Sequence, residues 1–260
     1  MTPHLRTLFS TTVRLLLLSV PVFLVPVTAH AAEDGGGGVT LWGLIVLGGW
    51  AMWPLGLCSL AVCALIIHAM RETRPARFIP RHLLAPLQDH CETRALDQAR
   101  RLTSGDRSVL GRIMHAGLER ARPELPDAGK DRIEEAIAEG LEHEENAIGQ
   151  WVNYLNVVAT IAPMIGLLGT VSGMIGAFQT ISAGGMGRPE LLAGDIGEAL
   201  ITTAAGLIIG IPAMLAYFIL RNRLGNQVLA TVQVATRLVD RLAAEPQPDR
   251  SAQDLVSSSR

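Results

Sequence analysis

Charge is scarce in this chain, and it is scarce in blocks. Of 260 residues, 49% are hydrophobic, only 18% are charged, and mean hydropathy is +0.32. Residues 39–69 and 151–181 contain no Asp, Glu, Lys or Arg at all. Either run exceeds the ~20 apolar residues that cross a bilayer, so an ordinary soluble domain is excluded. The net charge of −2 leaves no basic field for nucleic acid. Three cysteines, Cys58, Cys63 and Cys91, form no ligand-spaced cluster and no disulfide framework, and they read as reduced thiols. His143-Glu144 is followed by Ala147 where a zinc-protease motif needs a second histidine. No Gly-Lys-Ser or Gly-Lys-Thr follows the glycines around 166–173, which excludes a phosphate loop. Apart from His68 near one end, the apolar runs hold no histidine and no carboxylate pair, so a nucleophile–base or metal set at membrane depth is not expected. The chain reads as a non-enzyme without metal or cofactor.

What is present centres on residues 196–220, IGEALITTAAGLIIGIPAMLAYFIL. Its 25 residues span a ~30 Å hydrocarbon core and carry one ionisable group, Glu198. A carboxylate retained in a span faces protein or a wet cavity and marks an ion or proton path. Thr202, Thr203, Gly206, Gly210 and Pro212 surround it, small or hydroxylated residues suited to close helix packing. The preceding apolar run carries Gly166, Gly169, Gly173 and Ala177 at helical spacing, with Thr170 beside them and Pro163 as a kink position. These glycine faces exceed what three helices of one chain are expected to use, which predicts assembly between copies through them.

Taken in order, residues 1–31 have the pattern of a secretory signal peptide. Arg6 and Arg14 precede an apolar stretch, and Ala29-His30-Ala31 supplies a cleavage site, with an uncleaved anchor as the alternative. Residues 32–38 form a periplasmic lead, and 39–69 the first span, with Trp42, Trp50 and Trp53 as its outer interfacial belt. Arg71, Arg74, Arg77 and Arg81 follow, which by the positive-inside rule makes residues 70–150 a cytoplasmic helical insert. That insert is basic first, with eleven Arg against six acids over 71–122, and acidic second, with two Lys or Arg against nine acids over 123–150. Ile133, Ile137 and Leu141 predict an amphipathic helix there, its charges on a solvated face, running without a break into the second span over 151–183. A periplasmic loop over 184–194 leads to the third span, 195–220, with Pro189 suited to opening its helix early. Arg221 and Arg223 then mark a return to the cytoplasm. Val228, Val232, Ala235, Val239 and Leu242 predict a packing seam in the last segment, 221–260, before a polar tail. The mature N-terminus is thus expected in the periplasm and the C-terminus in the cytoplasm.

Helical rise gives a depth test. With Tyr154 and Tyr217 as inner-interface markers, Thr170 lies roughly 24 Å and Thr203 roughly 21 Å along their helices, so the two hydroxyls reach nearly one level. Glu198 lies higher, at roughly 28 Å. Around the helix Glu198 and Thr202 differ by about 40°, whereas Glu198 and Thr203 differ by about 140°. Periodicity therefore makes Thr202 the face-mate of Glu198 and a candidate pore-lining residue with it.

The runs APMIGLLGTVSGMIGAFQTI (162–181) and IGEALITTAAGLIIGIPA (196–213) closely resemble the MotA/TolQ/ExbB proton-channel family, its ExbB-like members best. The resemblance implies an all-α, multi-pass protein of the bacterial inner membrane. Its three transmembrane helices would extend into long cytoplasmic helices and assemble as a homopentamer in lipid. It implies partners as well, a single-span ExbD-like subunit and a TonB-like protein, in a motor that uses proton-motive force to energise import across the outer membrane. It places Thr170, Glu198 and Thr203 on the proton path and matches Pro212 to a family proline. A TolQ-like motor for envelope maintenance is the alternative, and a passive membrane scaffold the more distant one.

Overall fold

The computed structural model describes residues 48–122, 124, 129–182 and 189–243. The expected signal peptide, the lead, residues 39–47 of the first span and the polar tail beyond 243 lie outside these. Among the described residues the chain is all-helical: α1 (Met52–Glu72), α2 (Pro75–Phe78), α3 (Arg81–Glu92), α4 (Leu96–Ser104), α5 (Val109–Glu119), α6 (Lys130–Ser182) and α7 (Pro189–Ala243). Three of them, α1, α6 and α7, are long and apolar enough to cross a membrane. α6 runs for 53 residues without a break from the acidic segment into the apolar one, as its sequence predicts. Both Pro163 in α6 and Pro212 in α7 lie inside continuous helix. Such prolines are tolerated where neighbouring helices re-satisfy the freed backbone groups. α7 opens at Pro189, ahead of its apolar stretch.

The chain divides into two compact units. The first comprises Met1–His68 and Trp151–Ile219. Its interior is built mainly from small residues: Ala51, Ala159, Ala162, Ala177, Ala199, Ala213 and Ala216 are buried, alongside the larger Leu55, Leu155 and Tyr217. The glycines let α6 and α7 touch backbone to backbone. A Cβ on Gly166 would lie 2.8 Å from the Thr202 carbonyl and 3.3 Å from Gly206 Cα. One on Gly206 would lie 2.7 Å from the Ala162 carbonyl, and one on Gly210 would lie 2.6 Å from the Pro163 ring. Gly173 meets Ala199 in the same way, at 2.9 Å. The glycine faces are therefore consumed within one chain, which corrects the expectation that they serve contacts between copies. Two facing glycine rows at matching register are enough to satisfy each other. Large apolar side chains point outward instead, among them Leu200 at 62% and Phe218 at 60% exposure.

The second unit comprises Ala69–Gln150 and Leu220–Arg260. Here the short helices wrap a core of large side chains. α3 buries Leu83, Leu87 and Cys91 along one stripe, α5 buries Leu110, Ile113, Met114 and Leu118, and Phe78 closes one end. Burial pushes the Cys91 thiol up to about 11. Ile133, Ile137 and Leu141 of α6 join this core as their spacing predicts. So do Ala235, Val239 and Leu242 of α7, but Val232 is 39% exposed and the seam runs instead through Leu224 and Leu238. At about 100° per residue position 232 lies about 60° round the helix from Ala235, at the margin of the stripe that Leu224, Val228, Ala235 and Leu242 define. The basic and acidic halves of the insert pair with each other. Arg112 makes a bidentate contact with Glu144 at 2.5 Å, and Arg120 reaches Glu139 at 2.9 Å. Two glutamates expected on a freely solvated face are thus cross-helix partners.

Candidate functional site: the threonine cluster and Glu198

The site lies in the first unit, between α6 and α7. Because Gly166 has no side chain, α7 approaches closely enough for three hydroxyls to converge on the Gly166 carbonyl. The Thr170 and Thr203 hydroxyl oxygens each stand 3.2 Å from it, so that either can donate to it, and the Thr202 oxygen stands 3.4 Å away. Thr170 and Thr203 are also hydrogen-bonded to each other through their hydroxyl oxygens. The level match expected from helical rise is therefore met by direct contact. Either hydroxyl can be the donor in that pair. With one proton in the shared bond and the other aimed at Gly166, reversing both hydroxyls reverses the polarity of the pair.

Thr202 has a different position. It is 1% exposed, packs into the notch of Gly169, and donates to the Ala199 carbonyl at 2.8 Å. Its hydroxyl is satisfied by backbone, so the structure places Thr202 in the helix–helix packing. Periodicity paired Thr202 with Glu198, but a shared face on one helix does not ensure a shared neighbour. Glu198 is half-buried, and its carboxylate lies against Gly49, where a Cβ would meet Cδ at 2.7 Å. Tyr154 is exposed whereas Tyr217 is buried beside Phe218, so only Tyr154 has the exposure of an interfacial marker.

Several residues of this region were not singled out from the sequence. Gly49 is one, with φ +59. Ser172 accepts a hydrogen bond from the Trp50 indole at 3.2 Å. Asp195 accepts from Thr180 at 3.3 Å. The Gly48-Gly49 pair ahead of an apolar helix is a detectable turn signal, but no local pattern ties it to a residue 149 positions away.

Comparison with known proteins bears on the family. Residues 106–232 match the model of the MotA/TolQ/ExbB proton channel family. The Tol-Pal system protein TolQ of Haemophilus influenzae is 35% identical over 123 residues, 47% of this chain and 52% of the relative. The biopolymer transport protein ExbB of Xanthomonas campestris pv. campestris is 39% identical over 85 residues, 33% of this chain and 34% of the relative. ExbB of Salmonella typhimurium is 28% identical over 178 residues, 63% of this chain and 73% of the relative. The chain thus spans about half the length of the TolQ relative and about a third of the Xanthomonas one. The family match holds all of α6 and most of α7, including Thr170, Glu198 and Thr203. Residues 106–232 are thus similar to the MotA/TolQ/ExbB proton channel family.

Proposed function

We propose that this chain is the proton-channel subunit of an ExbB-type inner-membrane motor. In this reading it forms a homopentamer around ExbD-like single-span subunits and converts proton-motive force into work on a TonB-like partner. The observation that carries it is the Thr170–Thr203 hydroxyl pair across α6 and α7, with Glu198 five residues earlier on α7, all inside the family match. Thr170 and Thr203 serve as the proton-path hydroxyls and Glu198 as the ionisable group. Thr202 serves packing. The large apolar exterior of the first unit suits lipid and neighbouring copies, and it takes over the role first expected of the glycines. Arg71, Arg74, Arg77 and Arg81 after the first span, and Arg221 and Arg223 after the third, favour a cytoplasmic second unit. The TolQ match favours a second reading, a motor for envelope maintenance.

The test is proton-motive-force-dependent uptake in cells carrying variants, alongside the oligomer yield of each purified protein. Glu198→Gln keeps shape and removes ionisation, and Thr170→Ala with Thr203→Ala removes the hydroxyl pair. Both are expected to abolish uptake while leaving the oligomer intact, and Thr→Ser at either site is expected to be milder. Normal uptake from Glu198→Gln and from the double threonine variant, with an intact envelope in both, would defeat the channel reading. Normal uptake with detergent hypersensitivity would select the envelope-maintenance motor.

A further inference from the structure

Three consecutive residues ahead of α1 each engage the α6–α7 pair beside the candidate site. The Ala51 methyl lies opposite Gly169, where a Cβ would stand 3.2 Å away. The Trp50 indole N–H donates to Ser172 Oγ at 3.2 Å. Gly49 faces the Glu198 side chain so closely that the carboxylate fills the space of a side chain at position 49. A Cβ there would overlap Oε1 and lie 2.7 Å from Cδ and 3.4 Å from Oε2. Gly49 also has φ +59, a left-handed conformation that other L-residues adopt only with strain between Cβ and the following carbonyl. Glycine is therefore required twice over, once by the backbone and once by the carboxylate.

We infer that Gly49 is a positioning residue for Glu198, and that the Gly49-Trp50-Ala51 segment is the seat that holds this carboxylate beside the α6–α7 pair. Trp50 and Ala51 anchor the segment on α6, and Gly49 then leaves a hollow into which the α7 carboxylate fits. The atoms that a Cβ would strike are the far end of a flexible side chain. A residue larger than glycine therefore displaces the carboxylate and leaves the helices in place. The inference rests on Glu198 being the ionisable group of the proposed path, but the seat itself can be measured without transport.

The experiment uses the full chain in nanodiscs and follows modification of Glu198 by dicyclohexylcarbodiimide, read by peptide mass spectrometry, together with uptake in cells. Gly49→Ala is expected to speed labelling of Glu198 severalfold and to abolish uptake, with oligomer yield retained. Gly49→Asn separates the two demands on glycine, because asparagine tolerates the left-handed backbone but still carries a Cβ. It is expected to behave like Gly49→Ala. Glu198→Asp, one methylene shorter, should impair uptake alone and restore part of it when combined with Gly49→Ala, since the shorter arm clears the new methyl. Labelling unchanged in both Gly49 variants would overturn the seat. So would wild-type labelling and uptake in Gly49→Asn, which would reduce the position to backbone strain, and so would absence of any rescue by Glu198→Asp. Normal uptake in Glu198→Gln with altered labelling in Gly49→Ala would defeat the channel reading and leave the seat standing.

Discussion

The two units of this chain are built on opposite plans. The second has large side chains inside and ion pairs outside, with Phe78, Leu83, Leu87, Met114 and Leu118 buried and Arg112–Glu144, Lys130–Asp240 and Arg241–Glu92 on its surface. The first packs mostly alanine, glycine and threonine inside, with Leu55 and Leu155 as large exceptions, and turns most of its leucine, isoleucine and phenylalanine outward. The contrast follows from solvent. In water, burying a large apolar side chain releases about 1.5–3 kcal/mol, so the largest residues go in. In lipid the outside is as apolar as the inside and that drive vanishes. Close backbone approach and hydroxyl hydrogen bonds are left to hold the helices, and both need small residues. The candidate site is a by-product of this second plan. Only where Gly166 and Gly206 bring the helices together can Thr170 and Thr203 meet.

The sharpest way to break the contrast is to put a large residue into the small-residue interior. Gly206→Leu should separate α6 from α7, because its side chain would begin 2.7 Å from the Ala162 carbonyl in backbone that cannot move aside. Loss of the folded protein is expected, read as the recovered monodisperse fraction in detergent. The control is Leu200→Ala on the outside of the same unit, where recovery should stay near wild type. If Gly206→Leu folds normally, the small-residue plan is wrong.

A smaller effect should come from the reverse change in the second unit. Leu87→Ala removes a fully buried side chain and is expected to destabilise that unit by about 2–5 kcal/mol. Thermal scanning and limited proteolysis of the purified chain should report it as cleavage within the insert at lower temperature, with the apolar helices still protected. Equal sensitivity of both units would mean that they do not melt separately.

The smallest expected effect is electrostatic and confined to the second unit. Burial tends to raise the Asp106 carboxyl, but the Ser108 hydroxyl and amide and the His82 ring outweigh it and hold Asp106 below its ordinary value. A depressed carboxyl stabilises the fold above its unfolded pKa of 3.8, and that contribution disappears as pH falls through the still lower folded value. Acid unfolding of the insert should therefore show a component below about pH 4 that Asp106→Asn removes. The same acid curve in both proteins would refute it.

Most of the helical framework was legible because lipid and water impose different periodicities. Charge-free runs mark the spans, and the stripe Ile133, Ile137, Leu141 marks the face of α6 that packs in the second unit. Helical rise alone brought Thr170 and Thr203 to one level, since it depends only on residue count. What counting cannot supply is azimuth relative to a neighbour. The sequence therefore determined that this chain has long apolar helices, one carboxylate among threonines, and facing glycines to spare. The tertiary structure decided that those glycines face each other within one chain, that Thr202 is packing while Thr203 is paired, and that Gly49 holds the carboxylate. The physical reason is that local periodicity sets which residues share a helix face. The partner of that face depends on how α1, α6 and α7 pack, through contacts between residues separated by 33 positions in the threonine pair and by 122 in the Trp50–Ser172 bond.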